Sequence, residues 1–256
     1  MKILVTGSQG FVGKNLVETL KAIRDNKCKI YDINVEDIYT YDIDNTIDEL
    51  REYTKNCDAV VHLAGVNRPK NVSEFYEGNS GFSETLCKCL KDNGNKCPII
   101  VSSSIQANRG NDYGKSKKMG EDYLLGFGNR HGNSIYIYRL ANLFGKWCKP
   151  NYNSVVATFC YNIANDLPLM INGKDTIVPL CYIDDVIEEI INALRGYPTM
   201  KIDGYYAVEL IYQVTLGKLS SLLISFQNSR NDLSIADQSD DFTRKLYATY
   251  LSYLSE

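Results

Sequence analysis

The chain opens with Lys2-Ile3-Leu4-Val5-Thr6-Gly7-Ser8-Gln9-Gly10-Phe11-Val12-Gly13. Its first part, residues 2–6, is apolar and ends at a glycine, which is typical of a short buried strand. An amphipathic helix is predicted to follow and to run to about Arg24, because the apolar residues there recur at helical spacing: Val12, Leu16, Val17, Leu20 and Ile23. A strand, a glycine-rich turn and a helix in this order predict a dinucleotide-binding unit.

The glycines of this turn have separate predicted roles. Gly7 permits the tight turn, Gly10 lets the backbone approach a pyrophosphate, and Gly13 lets the helix pack closely on the strand. The first helical residues, Phe11 and Val12, place free N–H groups and the positive end of the helix dipole at the phosphates. An ordinary glycine-rich turn is the alternative interpretation.

Strands and helices alternate along the rest of the chain. This alternation predicts an α/β fold, a Rossmann-type doubly wound parallel sheet with a small C-terminal substrate-binding lobe. We expect a nucleotide-binding domain at 1–145 and a smaller, interleaved substrate-binding region at 146–256. Further strands are predicted at 29–33, 39–42, 59–63, 98–102, 135–139, 169–173 and 176–180. Helices are predicted at 45–55, 75–91, 115–125, 153–165, 184–195, from 214 to a polar break at 227–241, and at 242–254.

Composition excludes several classes of function. The 256 residues are 44% apolar, enough for one large core, and the net charge of −3 is dispersed, so no basic patch suggests nucleic acid. No stretch approaches the ~20 apolar residues of a membrane span, and the N-terminus leads straight into a core strand, so we expect no signal peptide. The eight cysteines lack zinc spacing, so we expect reduced thiols, no metal and a cytoplasmic protein.

A tyrosine and a lysine suggest the chemistry. In Tyr113-Gly114-Lys115-Ser116-Lys117, the first and last residues are four apart and share one face of a helix. There the ammonium lowers the phenol's pKa from its usual ~10, so that the tyrosine can exchange a proton near neutrality. A hydroxyl of the preceding serine run, Ser102 to Ser104, can hold the substrate oxygen beside the phenol. The alternative for Tyr113 is a packing aromatic.

Polar residues collect at the predicted carboxyl ends of the strands, where function gathers in parallel sheets. These are Thr6-Gly7, Asp32, His62 to Gly65, Ser102 to Ser104 and Arg139 to Asn142. Asp32 stands at the predicted end of the second strand, where a carboxylate accepts hydrogen bonds from an adenosine ribose and repels a 2′-phosphate. The alternative is that Asp32 only caps the turn.

The ordered motifs resemble those of the extended short-chain dehydrogenase/reductase (NAD-dependent epimerase/dehydratase) family, over about residues 1–190. The matching segments are 6–13, 62–65, 102–104, 113–117, 138–145 and 182–186. The resemblance implies that Tyr113 donates a proton, Lys117 also binds the nicotinamide ribose, and Ser104, or its neighbour Ser103, holds the carbonyl oxygen. It further implies cofactor contacts at Asp42, Ile43, Leu63, Ala64, Gly65 and Ser102, with Asp42-Ile43 at the adenine.

A narrower resemblance is to the reductase domain of CapF-type capsular polysaccharide enzymes, carried by 62–69, 102–107, 144–154 and 246–254. It implies NAD(P)H-dependent reduction of the C4 ketone of a UDP-linked 4-keto-6-deoxy-N-acetylhexosamine, towards a precursor of N-acetyl-L-fucosamine. The predicted substrate contacts are Asn67, Arg68, Asn142 and Lys149. Arg68, beside a turn that a proline fixes, can clamp a diphosphate, and a solvated surface arginine is the alternative. Asn142 resembles the substrate-binding asparagine of the wider family. The CapF-type enzymes join a C-terminal cupin epimerase domain to the reductase, so we expect this domain to be separate or lacking, and we expect a homodimer.

Three questions stay open at this point. The resemblance favours NADP(H) whereas Asp32 favours NAD(H), so both cofactors are kept. A nucleotide-sugar 4-epimerase with tightly bound NAD is an alternative function, and a non-catalytic NADP-binding sensor or scaffold is another. A 4,6-dehydratase is disfavoured, because that family places an Asp-Glu pair where this chain has Ile105-Gln106.

Overall fold

The chain divides into two compact units. The computed structural model describes residues 1–199 and 203–254 and, of Asn231, the backbone only. The first unit comprises Met1–Leu140 with Ile187–Val208, and the second comprises Ala141–Val186 with Glu209–Glu256. The chain therefore crosses between the units three times, and the segment 187–208 returns to the unit that holds the N-terminus.

A parallel sheet forms the centre of the first unit. Its strands are β1 (Lys2–Thr6), β2 (Asp37–Tyr41), β3 (Ala59–His62), β4 (Ile99–Ser104) and β5 (Ile135–Leu140). Their order is β2-β1-β3-β4-β5, and every neighbouring pair is parallel. The direction of winding reverses between β1 and β3, so their carboxyl ends form the crevice where such sheets bind ligands. The predicted α/β fold is confirmed.

Helices connect these strands. They are α1 (Phe11–Arg24), α2 (Ile47–Asn56), α3 (Ser73–Tyr76), α4 (Phe82–Asp92) and α5 (Asp112–His131), with a π-helical segment at Glu77–Gly81 and a 3₁₀ turn at Ile105–Asn108. Local sequence explains several ends: Thr46 and Glu49 form a capping box at α2, Asn111 caps α5, and Gly132 ends α5 with φ at 83°. Helix α7 (Ile183–Leu194) belongs to both units.

The second strand of the sheet is not where the sequence pattern placed it. Residues 29–33 form no strand, and Ile30 is 86% exposed. Instead, 37–41 pairs with β1 in register from Lys2↔Asp37 to Thr6↔Tyr41. The prediction at 29–33 was wrong because apolar residues there have no core to enter, whereas Tyr41 packs into the main core cluster. Asp32 therefore follows no strand, and Asp42 is the residue at the carboxyl end of β2.

The second unit has its own core around a three-stranded sheet. Strands β6 (Asn142–Phe144) and β7 (Ile177–Tyr182) are parallel, and β8 (Tyr212–Thr215) runs antiparallel to β7. Helices α6 (Val155–Ala164), α8 (Leu216–Asn231) and α9 (Asp241–Leu251) cover it. Its buried residues include Phe144, Phe226, Leu246 and Tyr250.

Two local predictions in this unit fail. No strand forms at 169–173, where Met170 is 81% exposed, and β8 occupies the start of the helix predicted from 214. The second failure depends on a strand partner that lies far away in sequence, since β8 forms by pairing with β7. Helix α8 also continues beyond 227, and α9 ends at Leu251. Among residues 1–199 and 203–254, no helix has the length and apolar content needed to cross a bilayer.

Candidate active site

The glycine-rich turn leads from β1 directly into the N-terminus of α1. Gly7 has φ at 70°, and its N–H donates to the carbonyl of Tyr41 at 2.8 Å. Gly13 faces the Gly7 carbonyl, where a Cβ would lie only 2.1 Å away. Helix α1 starts after Gly10 with no side-chain cap and no acidic residue in its first turn. The first N–H groups, at Phe11 and Val12, are thus left to an anion, as a pyrophosphate site requires.

The carboxyl end of β2 contacts this turn. The Asp42 carboxylate accepts from the Gln9 N–H at 2.8 Å and from its neighbour Ile43 N–H at 2.9 Å. Ile43 itself is 92% exposed. Asp32 lies in the exposed loop before β2, where its backbone carbonyl accepts from Arg195. Of the two aspartates predicted to contact the cofactor, the structure brings Asp42 to the glycine-rich turn.

The segment after β3 passes close to Lys117. Leu63 N–H donates to the Thr6 carbonyl at 3.0 Å, which continues the sheet by one residue beyond His62. A Cβ at Gly65 would lie 2.8 Å from the Lys117 ammonium nitrogen and 2.7 Å from Asn79 Oδ1. The backbone at Gly65 and the lysine can approach this closely because residue 65 is a glycine. Of the predicted cofactor residues in this segment, Gly65 therefore lies beside Lys117, and Ala64 lines a cavity together with that lysine.

The serine run at the end of β4 has three different environments. Ser103 is buried and donates to Glu121 Oε1 at 2.6 Å. Ser102 Oγ lies 3.5 Å from the carbonyl of His62. Ser104 hydrogen-bonds to the Tyr113 phenol and also accepts from the Gln106 N–H at 3.1 Å. Of the two candidate catalytic serines, the structure places Ser104 at the tyrosine and Ser103 at Glu121.

Tyr113 lies in the first turn of α5, half-buried against Phe75, with ring centroids 5.7 Å apart. Burial raises the pKa of the phenol, and the hydrogen bond from Ser104 opposes this rise. The sequence argument predicted a lowered pKa through Lys117, and the structure differs because the ammonium faces Gly65 and Asn79 instead. The phenol is therefore protonated at neutral pH, which is the state that a general acid requires.

Burial also lowers the pKa of Lys117, to about 8, while Glu121 acts to raise it. A small cavity of about 20 Å³, room for about one water molecule, lies beside this lysine. Lys117 is partly buried and lines this cavity. Because the pKa of this buried ammonium lies close to neutral pH, neighbouring charges can change its protonation state.

Glu121 is a residue that the sequence reasoning missed. It lies one helical turn after Lys117, and its carboxylate accepts two bonds from Arg139, at 3.0 Å to Nε and 2.6 Å to Nη2. The side chains are 1% and 13% exposed. The spacing of four from Lys117 was a signal in the sequence that could have identified it.

Asn79 is a second missed residue, and it closes a buried polar chain. Its side chain accepts from the Val66 N–H at 3.0 Å and donates to the Val66 carbonyl at 3.1 Å, so it holds the segment after β3. His62 contacts Thr6 Oγ1 at 2.8 Å and Ser83 Oγ at 2.9 Å, and Ser83 donates to the Asn79 carbonyl. Burial lowers the pKa of His62 to about 3, so the ring is neutral and structural.

The four predicted substrate residues lie in two places. Asn67 and Arg68 are exposed in the loop after β3, in the first unit. Asn142 and Lys149 belong to the second unit, where Asn142 starts β6 and donates to the Pro179 carbonyl at 3.0 Å. Lys149 lies 5.8 Å from the centre of the Tyr152 ring. Their contacts with a substrate stay a prediction.

Comparison with known proteins shows one family and two groups of relatives. The NAD dependent epimerase/dehydratase family matches residues 3–207. The UDP-2-acetamido-2,6-beta-L-arabino-hexul-4-ose reductase of Pseudomonas aeruginosa is 41% identical over 256 residues, 100% of this chain and 66% of the relative. The UDP-glucose 4-epimerase of Vibrio cholerae is 26% identical over 212 residues, 72% of this chain and 65% of that enzyme.

Solved structures agree with this grouping. The capsular polysaccharide assembling protein CapF from Staphylococcus aureus has a TM-score of 0.88 and 42% identity, covering 100% of this chain and 66% of that one. The UDP-glucuronic acid 4-epimerase from Bacillus cereus, solved in complex with NAD, has a TM-score of 0.78 and 19% identity over 99% of this chain and 96% of its own. The latter shares the fold. This chain thus spans 66% of the length of the Pseudomonas aeruginosa reductase and 66% of the length of CapF.

Proposed function

Because this chain belongs to the NAD dependent epimerase/dehydratase family, we propose that it is an NAD(P)H-dependent reductase of a UDP-linked sugar. The substrate is the C4 ketone of a UDP-linked 4-keto-6-deoxy-N-acetylhexosamine, and the product serves capsular polysaccharide synthesis. The name of the 41% identical relative supports the reaction, and the likeness to CapF supports its place in capsule assembly. The observation that carries the proposal is the contact between the Tyr113 phenol, in the first turn of α5, and Ser104, at the carboxyl end of β4.

The site fits a nicotinamide dinucleotide. The uncapped N-terminus of α1 offers N–H groups to a pyrophosphate, and Gly65 leaves room for Lys117 to reach past the backbone. The diphosphate would be held by Gly7, Gly10, Phe11, Val12 and Gly13, and the adenosine by Asp42 and Ile43. The nicotinamide half of the dinucleotide would be held by Leu63, Ala64, Gly65 and Ser102. When bound, the reduced nicotinamide supplies the hydride.

The chain's own residues supply the proton and its positioning. Ser104 holds the carbonyl oxygen of the sugar, and Tyr113 donates its phenolic proton to that oxygen as negative charge develops. The raised pKa of Tyr113 keeps this proton in place until it is needed. Lys117, whose ammonium lies beside Gly65, binds the nicotinamide ribose. Glu121 keeps Lys117 cationic, since it acts to raise the ammonium's pKa.

The substrate residues are proposed from their positions in the fold. Asn67 and Arg68 follow β3 on the sheet's ligand-binding edge, and the Arg68 guanidinium suits the diphosphate of UDP. For Asn142 and Lys149, which belong to the second unit, the role of substrate contacts is proposed from the resemblance. A homodimer and a cupin epimerase domain on another chain remain proposals. A cytoplasmic location is likewise proposed.

A nucleotide-sugar 4-epimerase is the alternative, favoured by the Vibrio cholerae relative. An epimerase must first take a proton from a sugar hydroxyl, and so needs a phenolate. The raised pKa of Tyr113 instead favours the proton-donating direction.

The test follows the absorbance of NADH or NADPH mixed with a UDP-4-keto-6-deoxy-N-acetylhexosamine. Wild type should oxidise the cofactor, and Tyr113→Phe should lose at least about 100-fold in rate, the scale of general acid catalysis. Tyr123→Phe is the matched control, because Tyr123 is a partly buried tyrosine of the same helix that packs on the core. Oxidation of neither cofactor, or equal losses in both variants, would rule out the proposal. Release of bound NAD without net oxidation would favour the epimerase.

A further inference from the structure

The end of β2 is held against the glycine-rich turn by direct contacts. The register of β1 and β2 pairs Thr6 with Tyr41. The residues that follow these strands, Gly7 and Asp42, therefore lie next to each other at the carboxyl edge of the sheet. Gly7 N–H donates to the Tyr41 carbonyl at 2.8 Å, and Gln9 N–H donates to Asp42 Oδ2 at 2.8 Å. The carboxylate of Asp42 is therefore part of the wall of the dinucleotide site.

This carboxylate is fixed in place before any ligand arrives. Its Oδ1 accepts from the Ile43 N–H at 2.9 Å, and the Asp42 N–H donates to Asn45 Oδ1 at 2.8 Å. Each carboxylate oxygen can accept more than one hydrogen bond, so both retain capacity after these contacts. Asp42 is also partly exposed, and a ribose can reach it.

The surroundings of Asp42 contain no positive charge in sequence. The turn 7–13 and the segment 42–46 include no lysine or arginine, and Asp44 adds a second, exposed carboxylate. A carboxylate at this position accepts hydrogen bonds from a ribose 2′-hydroxyl, whereas a 2′-phosphate needs a basic residue there. The basic residue that directly follows the turn, Lys14, is exposed on α1.

We infer that Asp42 makes the site selective for NAD(H) over NADP(H), an inference that rests on the proposed nicotinamide chemistry. The carboxylate binds the adenosine ribose diol and repels a 2′-phosphate. Asp42 thereby takes the role that the sequence pattern gave to Asp32, and the resemblance to reductases that use NADPH does not extend to this contact. The cofactor of this reductase is NADH.

Calorimetric titration without sugar substrate tests this inference. The probes are NADH and NADPH, together with ADP-ribose and 2′-phospho-ADP-ribose, which carry the adenosine end alone. Wild type should bind NADH and ADP-ribose at least about 10-fold more tightly than their 2′-phosphorylated counterparts, the scale of hydrogen bonds to a charged group. Asp42→Asn keeps one oxygen and removes the charge, and should narrow this ratio by about 10-fold. Asp44→Asn is the matched control and should leave the ratio within about 2-fold, since exposed charges are screened.

Each outcome decides a different claim. Wild-type chain that binds NADPH as tightly as NADH would overturn the inference, and this measurement needs no variant. An unchanged ratio in folded Asp42→Asn would equally overturn the role of Asp42. Binding of neither dinucleotide would overturn both the inference and the proposed function, whereas equal binding of both leaves the proposed reductase activity intact.

Discussion

Replacing Glu121 by glutamine should destabilise the protein far more than a similar change one residue later. Glu121 binds Arg139 through both carboxylate oxygens and accepts from Ser103, and its side chain is 1% exposed. Glutamine preserves the shape and one acceptor oxygen. It leaves the Arg139 guanidinium, 13% exposed, without its counter-charge.

The size of the loss follows from the burial of the pair. Removing one partner of a buried ion pair costs roughly 3–5 kcal/mol, because the remaining charge stays desolvated. Arg139 keeps its bond to Asn108 Oδ1 at 2.7 Å and its position 3.4 Å from the centre of the Tyr205 ring. We therefore expect the lower end, about 3 kcal/mol. Asp122→Asn is the control: its pair with Lys118 has side chains 58% and 39% exposed, so the loss should be below about 1 kcal/mol.

Urea unfolding measures both losses as changes in the free energy of unfolding. If activity depends on protonated Lys117, it falls as the pH rises through the pKa of this lysine. Glu121 acts to raise that pKa, so in Glu121→Gln the fall in activity should occur at a lower pH. A loss for Glu121→Gln no larger than that for Asp122→Asn would refute the reasoning. It would mean that Arg139 is solvated in the absence of its partner.

Three further predictions concern the residues around Lys117. Reduction should slow as the pH rises through about 8, where Lys117 loses its proton, and Lys117→Arg should abolish this fall; a flat wild-type profile would contradict the role of the cation. His62, with its pKa lowered to about 3, takes up a proton below pH 6.5 only on unfolding, so stability should fall by roughly 1 kcal/mol per pH unit from 6.5 towards 3. In thermal melts at several pH values, the stability of His62→Gln should fall less steeply with falling pH than that of wild type. Equal slopes for the two proteins would contradict this role of His62. Asn79→Ala frees both backbone groups of Val66 and should weaken NADH binding, whereas Asn93→Ala, which also breaks side-chain hydrogen bonds of the first unit, should leave it unchanged.

Local sequence predicted the parts of the site that local structure builds. The turn from Gly7 to Gly13 and the spacing of Tyr113 and Lys117 depend on adjacent residues, and the structure places them in the predicted elements. The ends of β3 and β4 followed from short apolar runs that the sheet buries on both faces.

Long-range pairing explains what the sequence did not reveal. Nothing within 29–42 indicates that 37–41, rather than 29–33, pairs with β1, so the ribose carboxylate was placed at Asp32 instead of Asp42. Likewise, Asn79 reaches Val66 only after the chain between them folds into a loop and a π-helical segment. The pKa of Tyr113 was expected to fall because Lys117 shares its helix face, but the direction of the ammonium is set by the space at Gly65.

Transfer of deuterium from the cofactor to the sugar shows directly whether the reduced nicotinamide supplies the hydride for the C4 ketone. NADH that carries deuterium at both C4 positions of the nicotinamide is incubated with the UDP-4-keto sugar, and the product is examined by mass spectrometry and NMR. With wild type, we expect one deuterium at C4 of the sugar. With Tyr113→Phe, we expect little product. A sugar product without deuterium, formed at the wild-type rate, would contradict hydride transfer from the nicotinamide.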